Sequence, residues 1–314
     1  MRRNYSIDAY RVCLMFGICL LHSISQAGHN VAWAANMLEW CVPGFMFISG
    51  WFGIKFSMGK ALKLYGISFY CALMYVAFDV VVSGEGAGDS CVIRAYDIAT
   101  GQWFLNAYVV VMCLSPMVNL AIEKMTMKHL YPLLLCVFGW SFATTLPVVG
   151  KFIPKSAGLS AYSFLTLLGV YVFGRVARRE HDLASPLWKK VTSLRLMLPL
   201  CAVSLACAGI GLGDYNSPFA FCLAGCACVL FSRVKLPCAL AKTCCFLGSS
   251  MFSVYLMHSH GRAWGYLKIV QDYLLGKGFP LVVAYLMTAL IVFSLCVVAD
   301  LPRRGVAAIC NKLK

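Results

Sequence analysis

Charge is what this sequence has least of. Only 12% of its 314 residues are charged, and 12 in all are Asp or Glu, whereas 61% are hydrophobic and the mean hydropathy is +0.78. An ordinary soluble domain carries about 25% charged residues, so this composition excludes one. Strands with alternating apolar and polar residues are missing too, which removes a membrane β-barrel. There is no Gly-x4-Gly-Lys phosphate loop, no His-Glu-x-x-His zinc helix and no Gly-x-Ser-x-Gly nucleophile turn. Internal repeats, low-complexity tracts and long linkers are also absent. Ser-His-Asp catalysis is not excluded by spacing alone, but nothing in the sequence recommends it.

What is present is a series of apolar runs, most of them near the ~20 residues that carry a helix across ~30 Å of hydrocarbon. They predict an all-α, polytopic transmembrane bundle of about ten spans, at roughly 8–26, 35–56, 61–82, 102–121, 130–148, 159–177, 195–212, 218–232, 245–262 and 279–300. Gly, Pro, Asn and Asp clusters such as "SGEGAGDS" and "GLGDYNSP" separate them. The most polar connection, "REHDLASPLWKK" from Arg179, is too short to be a domain, so residues 1–314 are read as one.

The 17 cysteines lie almost entirely inside apolar runs, as in "FCLAGCACVL", and read as small hydrophobes. Only Cys91 falls clearly in a predicted outer loop, and no histidine-backed zinc spacing occurs, so neither disulfides nor a metal is expected. The formal net charge of +15 is scattered over short loops, a topology signal rather than a nucleic-acid footprint. With the N-terminus inside, six of the 27 Lys and Arg fall outside: Arg94, Lys151, Lys155, Arg262, Lys268 and Lys277. Twenty fall on the inner side, and Arg11 lies within the first span. The positive-inside rule therefore predicts both termini in the cytoplasm. The opening "MRR", the apolar stretch and "SQA" at Ser25–Ala27 imitate a cleavable leader. Asp8 and Arg11 lie late for its basic region, and cleavage would discard His22, so the first span is expected to be retained.

That span, "SIDAYRVCLMFGICLLHS", carries two side chains that hydrocarbon disfavours. Arg11 and His22 are eleven residues apart, three helical turns plus about 20°, so they share a face with a rise of about 16 Å. Arg11 lies about one turn into the cytoplasmic end, where it snorkels to phosphate depth, and Asp8 is placed to pair with it. Interfacial anchoring accounts for Arg11 about as well as function does. For His22 the functional reading is stronger, because an intramembrane ionisable group is a functional candidate and imidazole moves protons near neutral pH.

Here the sequence resembles a known family. Arg11-x10-His22 within "IDAYRVCLMFGICLLH" is similar to the first-helix signature of the acyltransferase-3 family of bacterial membrane proteins. Three further elements follow in the family's order: "VPGFMFISGWF" (Val42–Phe52), "WFLNAYVVVMCLSPMVN" (Trp103–Asn119) and "LGSSMFSVYLMH" (Leu247–His258). Departures are "KFSMGKALKLYG", which has lysines and no proline where members often have an arginine-rich turn, and Trp51 where tyrosine is common. Lysine meets phosphate as a point charge without the arginine fork.

The resemblance implies O-acylation of a surface carbohydrate or lipid-linked sugar by acyl-CoA, acetyl-CoA first among donors, in a bacterial cytoplasmic membrane. Nucleic acid has no part in it. His22 would be the general base, or hold the acyl group itself. Arg11, helped by Lys60 and Lys63, would meet the donor phosphates. Ser49, Trp51, Trp103, Asn106 and His258 are the candidate substrate contacts. Each has a plainer reading: Ser49-Gly50 as a packing pair, Trp103 as a belt anchor, His258 as a solvated end. A secondary transporter would also bury ionisable groups, but no paired broken helices and no acidic residue deep in a span are found. A structural or receptor-like protein would need neither His22 nor a donor.

Overall fold

The computed structural model describes residues 4–25, 31–83, 90–146 and 163–312. Arg2, Arg3, Lys151, Lys155, Lys314, the Gln26-Ala27 dipeptide, most of "SGEGAGDS" and the ends of two predicted spans at 147–148 and 159–162 lie outside the described residues. Every regular element among the described residues is helical. In chain order these are α1 (Tyr5–Ser25), α2 (Ala32–Asn36), α3 (Cys41–Phe52), α4 (Met58–Ser83), α5 (Ser90–Thr100), α6 (Trp103–Lys124), α7 (Met127–Thr145) and α8 (Phe164–Asp182). There follow α9 (Pro186–Val191), α10 (Leu194–Cys207) with a π turn (Ala208–Leu212), α11 (Pro218–Arg233), α12 (Cys238–Gly248), α13 (Met251–His258), α14 (Gly261–Gly276) and α15 (Leu281–Lys312).

Among the described residues, five stretches are long and apolar enough to cross a membrane: Tyr5–Ser25, Met58–Val82, Trp103–Lys124, Leu194–Leu212 and Leu281–Cys310. A sixth arises if α12 and α13, bent by 46° at Ser249 and Ser250, count as one. Their outward residues include large apolar ones, among them Val81 at 83% exposure, Ile210 and Met117, as lipid rather than water allows. The other expected spans differ for physical reasons. The run 35–56 breaks into α2, a turn at 37–40 and α3, whose 12 residues rise only about 18 Å. α8 ends in Arg175, Arg178, Arg179, Glu180, His181 and Asp182. α11 has 16 residues.

The chain divides into two compact units. The first comprises the described residues of 1–10, 31–57 and 103–236. Its centre is a close approach of α3 to α8. A Cβ added at Gly50 would stand 2.3 Å from the Tyr171 carbonyl oxygen, and one at Gly174 2.5 Å from that of Phe47. α3 ends at Gly53, whose φ of 75° suits glycine. Beyond it, Tyr171 Oη accepts from Ile54 N at 3.0 Å and donates to Asn119 Oδ1 at 2.7 Å, while Asn119 Nδ2 donates to the Ile54 carbonyl at 3.0 Å. This knot ties the exit of α3 to α6 and α8.

The second unit comprises the described residues of 11–30, 58–102 and 237–314. α4 and α5 pack through Ala72, Tyr75, Val76, Ala95 and Ala99. Asp79, 3% exposed, pairs with Arg94 and accepts from Tyr266 Oη at 2.7 Å. α5 and α14 occupy stretches read as outer loops. Both are half-polar, and α14 buries Ala263, Leu267, Gln271 and Leu274 at helical spacing.

Candidate functional site

The last turns of α1 carry the candidate base. The helix is unbroken from Tyr5 to Ser25, so the eleven-residue spacing and the shared face of Arg11 and His22 stand. Cys19, one turn before His22, is fully buried, and Ser23 Oγ donates back to the Cys19 carbonyl at 2.9 Å. His258 ends α13 and is 1% exposed. Its Nδ1 lies 2.5 Å from the Val254 carbonyl oxygen. A carbonyl only accepts, so Nδ1 carries the proton, and in the neutral ring Nε2 presents a lone pair. That lone pair faces Cys19 Sγ at 3.6 Å, and the thiol donates to it.

The ring of His22 stands against this fixed imidazole. The His22 and His258 centroids are 5.0 Å apart, and Trp264 of α14 lies 5.7 Å from His22 on centroids. Two histidines from distant parts of the sequence thus meet, His258 buried and His22 half-buried, while the buried His22 Nδ1 has no hydrogen-bond partner among the described residues. An imidazole so placed is able to accept a proton from a hydroxyl brought to it. Arg11 is half-buried, and Lys60 and Lys63, in the first two turns of α4, are exposed. The sequence did not single out Cys19, Trp264 or Gln271. The one available signal for Gln271 was its place on the apolar stripe of α14.

The remaining candidates lie in the first unit. Ser49 Oγ donates to the Phe45 carbonyl of its own helix at 2.9 Å, while Gly50 makes the close approach to α8. Trp51 is 6% exposed, beneath His181 and Trp188 at 5.3 and 5.6 Å on centroids, with the Arg178 guanidinium 5.5 Å from its ring centre. Trp103 stacks on Tyr215 at 6.1 Å, and Asn106 is half-buried one turn along α6.

Tyr215 adjoins two carboxyls. Asp214 Oδ1 accepts from Tyr215 N at 2.7 Å, and burial raises the Asp214 carboxyl above its ordinary range. Glu39, in the turn between α2 and α3 and outside both helices, is pushed from 4.5 up to about 8 by burial and then by Asp214, against the pull of a hydrogen bond with Tyr215. A carboxyl whose folded pKa is raised contributes stability that is full below the unfolded value and lost as pH rises through the folded one. The melting temperature should therefore fall between pH 5 and pH 8. Glu39→Gln, neutral throughout, should flatten that slope in a thermal unfolding series.

Repeated apolar helices enclosing polar groups define a multi-pass membrane protein. The chain belongs to the acyltransferase-3 family, whose acyltransferase-domain model matches residues 4–301. No curated protein and no solved structure matches it.

Proposed function

We propose that this membrane acyltransferase moves an acyl group, acetyl first, from acyl-CoA to a hydroxyl of a surface carbohydrate or lipid-linked sugar, with His22 as general base. The observation that carries the reading is the imidazole of His22, its Nδ1 unpartnered among the described residues, set against an orientation-fixed His258. The family match over residues 4–301 supports treating the chain as one acyltransferase domain. Loop charge supports both termini on the cytoplasmic side, where acyl-CoA is made, and the family resemblance supports a bacterial cytoplasmic membrane. Arg11 would then meet the donor phosphates, with Lys60 and Lys63 as weaker contacts. The pantetheine arm would cover the ~16 Å of helix to His22. Trp103 and Asn106 are kept as sugar-holding candidates, since an aromatic face and an amide suit a sugar.

The chemistry balances without a cofactor. The acceptor oxygen attacks the thioester carbonyl, its proton passes to His22, the carbon–sulfur bond breaks, and the coenzyme A thiolate regains that proton. Purified protein supplied with acetyl-CoA and glycan extract should form glycan esters. Mass spectrometry of surface glycans from cells with and without the protein identifies the acceptor. Arg11→Gln should weaken acetyl-CoA binding about tenfold or more, the scale of a lost charge-assisted phosphate contact, while the protein still inserts. Unchanged donor affinity would return Arg11 to interfacial anchoring. A transporter would draw on the bent α12–α13 pair, but among the described residues no second bent pair matches it.

A further inference from the structure

Of the buried polar atoms in the second unit that lack a hydrogen-bond partner among the described residues, three lie about the end of α1: His22 Nδ1, Trp264 Nε1 and Gln271 Oε1. Buried polar groups are satisfied in the large majority, so three near one helix end point to something that satisfies them. Gln271 is 1% exposed and its amide is already oriented. Its Nε2 donates to the Ser23 carbonyl at 2.6 Å, which assigns nitrogen to that end and leaves the oxygen open. Ser23 adjoins His22, and Trp264 stands 5.7 Å from His22 on ring centroids. Trp264 and Gln271 are seven residues apart on α14, two turns on one face. At Gln271 an amide takes a place where α14 elsewhere buries Ala263, Leu267 and Leu274.

The three atoms make a specific demand. With its ring proton on Nε2, His22 Nδ1 is an acceptor; the Trp264 indole N–H is a donor; Gln271 Oε1 is an acceptor. A hydroxyl both donates and accepts, but the two α14 positions are about 10 Å apart along the helix, too far for one alcohol. We infer that Trp264 and Gln271, together with His22, form the acceptor subsite, and that it takes a polyol presenting several hydroxyls, as a sugar ring does. One hydroxyl donates to His22 Nδ1 and reacts, a second accepts from Trp264 Nε1, and a third donates to Gln271 Oε1. The inference rests on the acyl-transfer reading above and adds to it where the acceptor is held and how many hydroxyls it offers.

The test uses the full chain in membranes of the expressing cell, supplied with radiolabelled acetyl-CoA and titrated with that cell's glycan extract. Binding of acetyl-CoA to the purified protein serves as the control for fold and donor site. Trp264→Phe keeps a ring and removes the N–H. It should raise KM for the acceptor about tenfold while donor affinity holds, the scale of one lost hydrogen bond. Gln271→Met should act in the same direction. If that variant fails to fold, Trp264→Phe alone decides. An acceptor KM unmoved in Trp264→Phe overturns the subsite, as it would if a water bridged the three atoms. No label with the wild-type protein, donor still bound, overturns the acyl-transfer reading and the subsite with it.

Discussion

His22→Ala is expected to lose acyl transfer by ~10²–10⁴-fold while the protein folds normally, since a positioned general base commonly supplies that factor. His22 Nδ1 bonds nothing among the described residues, so no hydrogen bond of that atom is lost with the ring. Asparagine and glutamine should fail as well, because they keep polarity and cannot take the proton. His258→Ala should be milder. It removes the ring beside His22 and the partner of the Cys19 thiol, but leaves the group proposed to accept the proton. Transfer assays on membranes normalised for folded protein decide the matter. A His22→Ala enzyme working near the wild-type rate would reduce His22 to a polar residue at the end of α1.

The second large effect is structural. Gly50→Val should prevent accumulation of folded protein, because its Cβ alone would lie 2.3 Å from the Tyr171 carbonyl oxygen, and the Gly174 Cα stands only 3.1 Å from that same point. Backbone meets backbone there, so nothing flexible yields, and the cost should reach or exceed the ~3 kcal/mol upper range of ordinary overpacking. Gly66→Ala is the contrast: nothing lies within 4 Å of its Cβ, and the helix α4 should gain ~0.5–1 kcal/mol. Size-exclusion profiles and thermal unfolding in detergent separate the two.

The long apolar helices were legible because a window of about 19 residues measures what lipid selects. Tyr5–Ser25, Met58–Ser83 and Trp103–Lys124 lie within a few residues of the expected 8–26, 61–82 and 102–121. Helices that lipid does not fully surround were not legible. α5 and α14 bury one face only, and their polar halves lower the mean hydropathy to that of a loop. The breaks after Asn36 and at Ser249-Ser250 are hidden for the opposite reason, since apolar residues continue across them. In the site, helical spacing was enough to join Arg11 to His22 on one helix. Bringing His258 and Trp264 to His22 is tertiary packing between distant segments, and no local period records it.

The Asp79–Arg94 pair bears on how the chain is made. Asp79 lies in the last turns of α4, and its counter-ion arrives fifteen residues later, on α5. Until then a carboxylate sits near the end of a helix whose charges are otherwise confined to Lys60 and Lys63 in its first two turns, with its eventual partner still in the ribosome, and an isolated acidic residue opposes partition into lipid. α4 is thus a poor candidate to leave the insertion machinery alone. Residues 58–100 should instead be released to the bilayer as one hairpin, at the moment synthesis delivers the arginine.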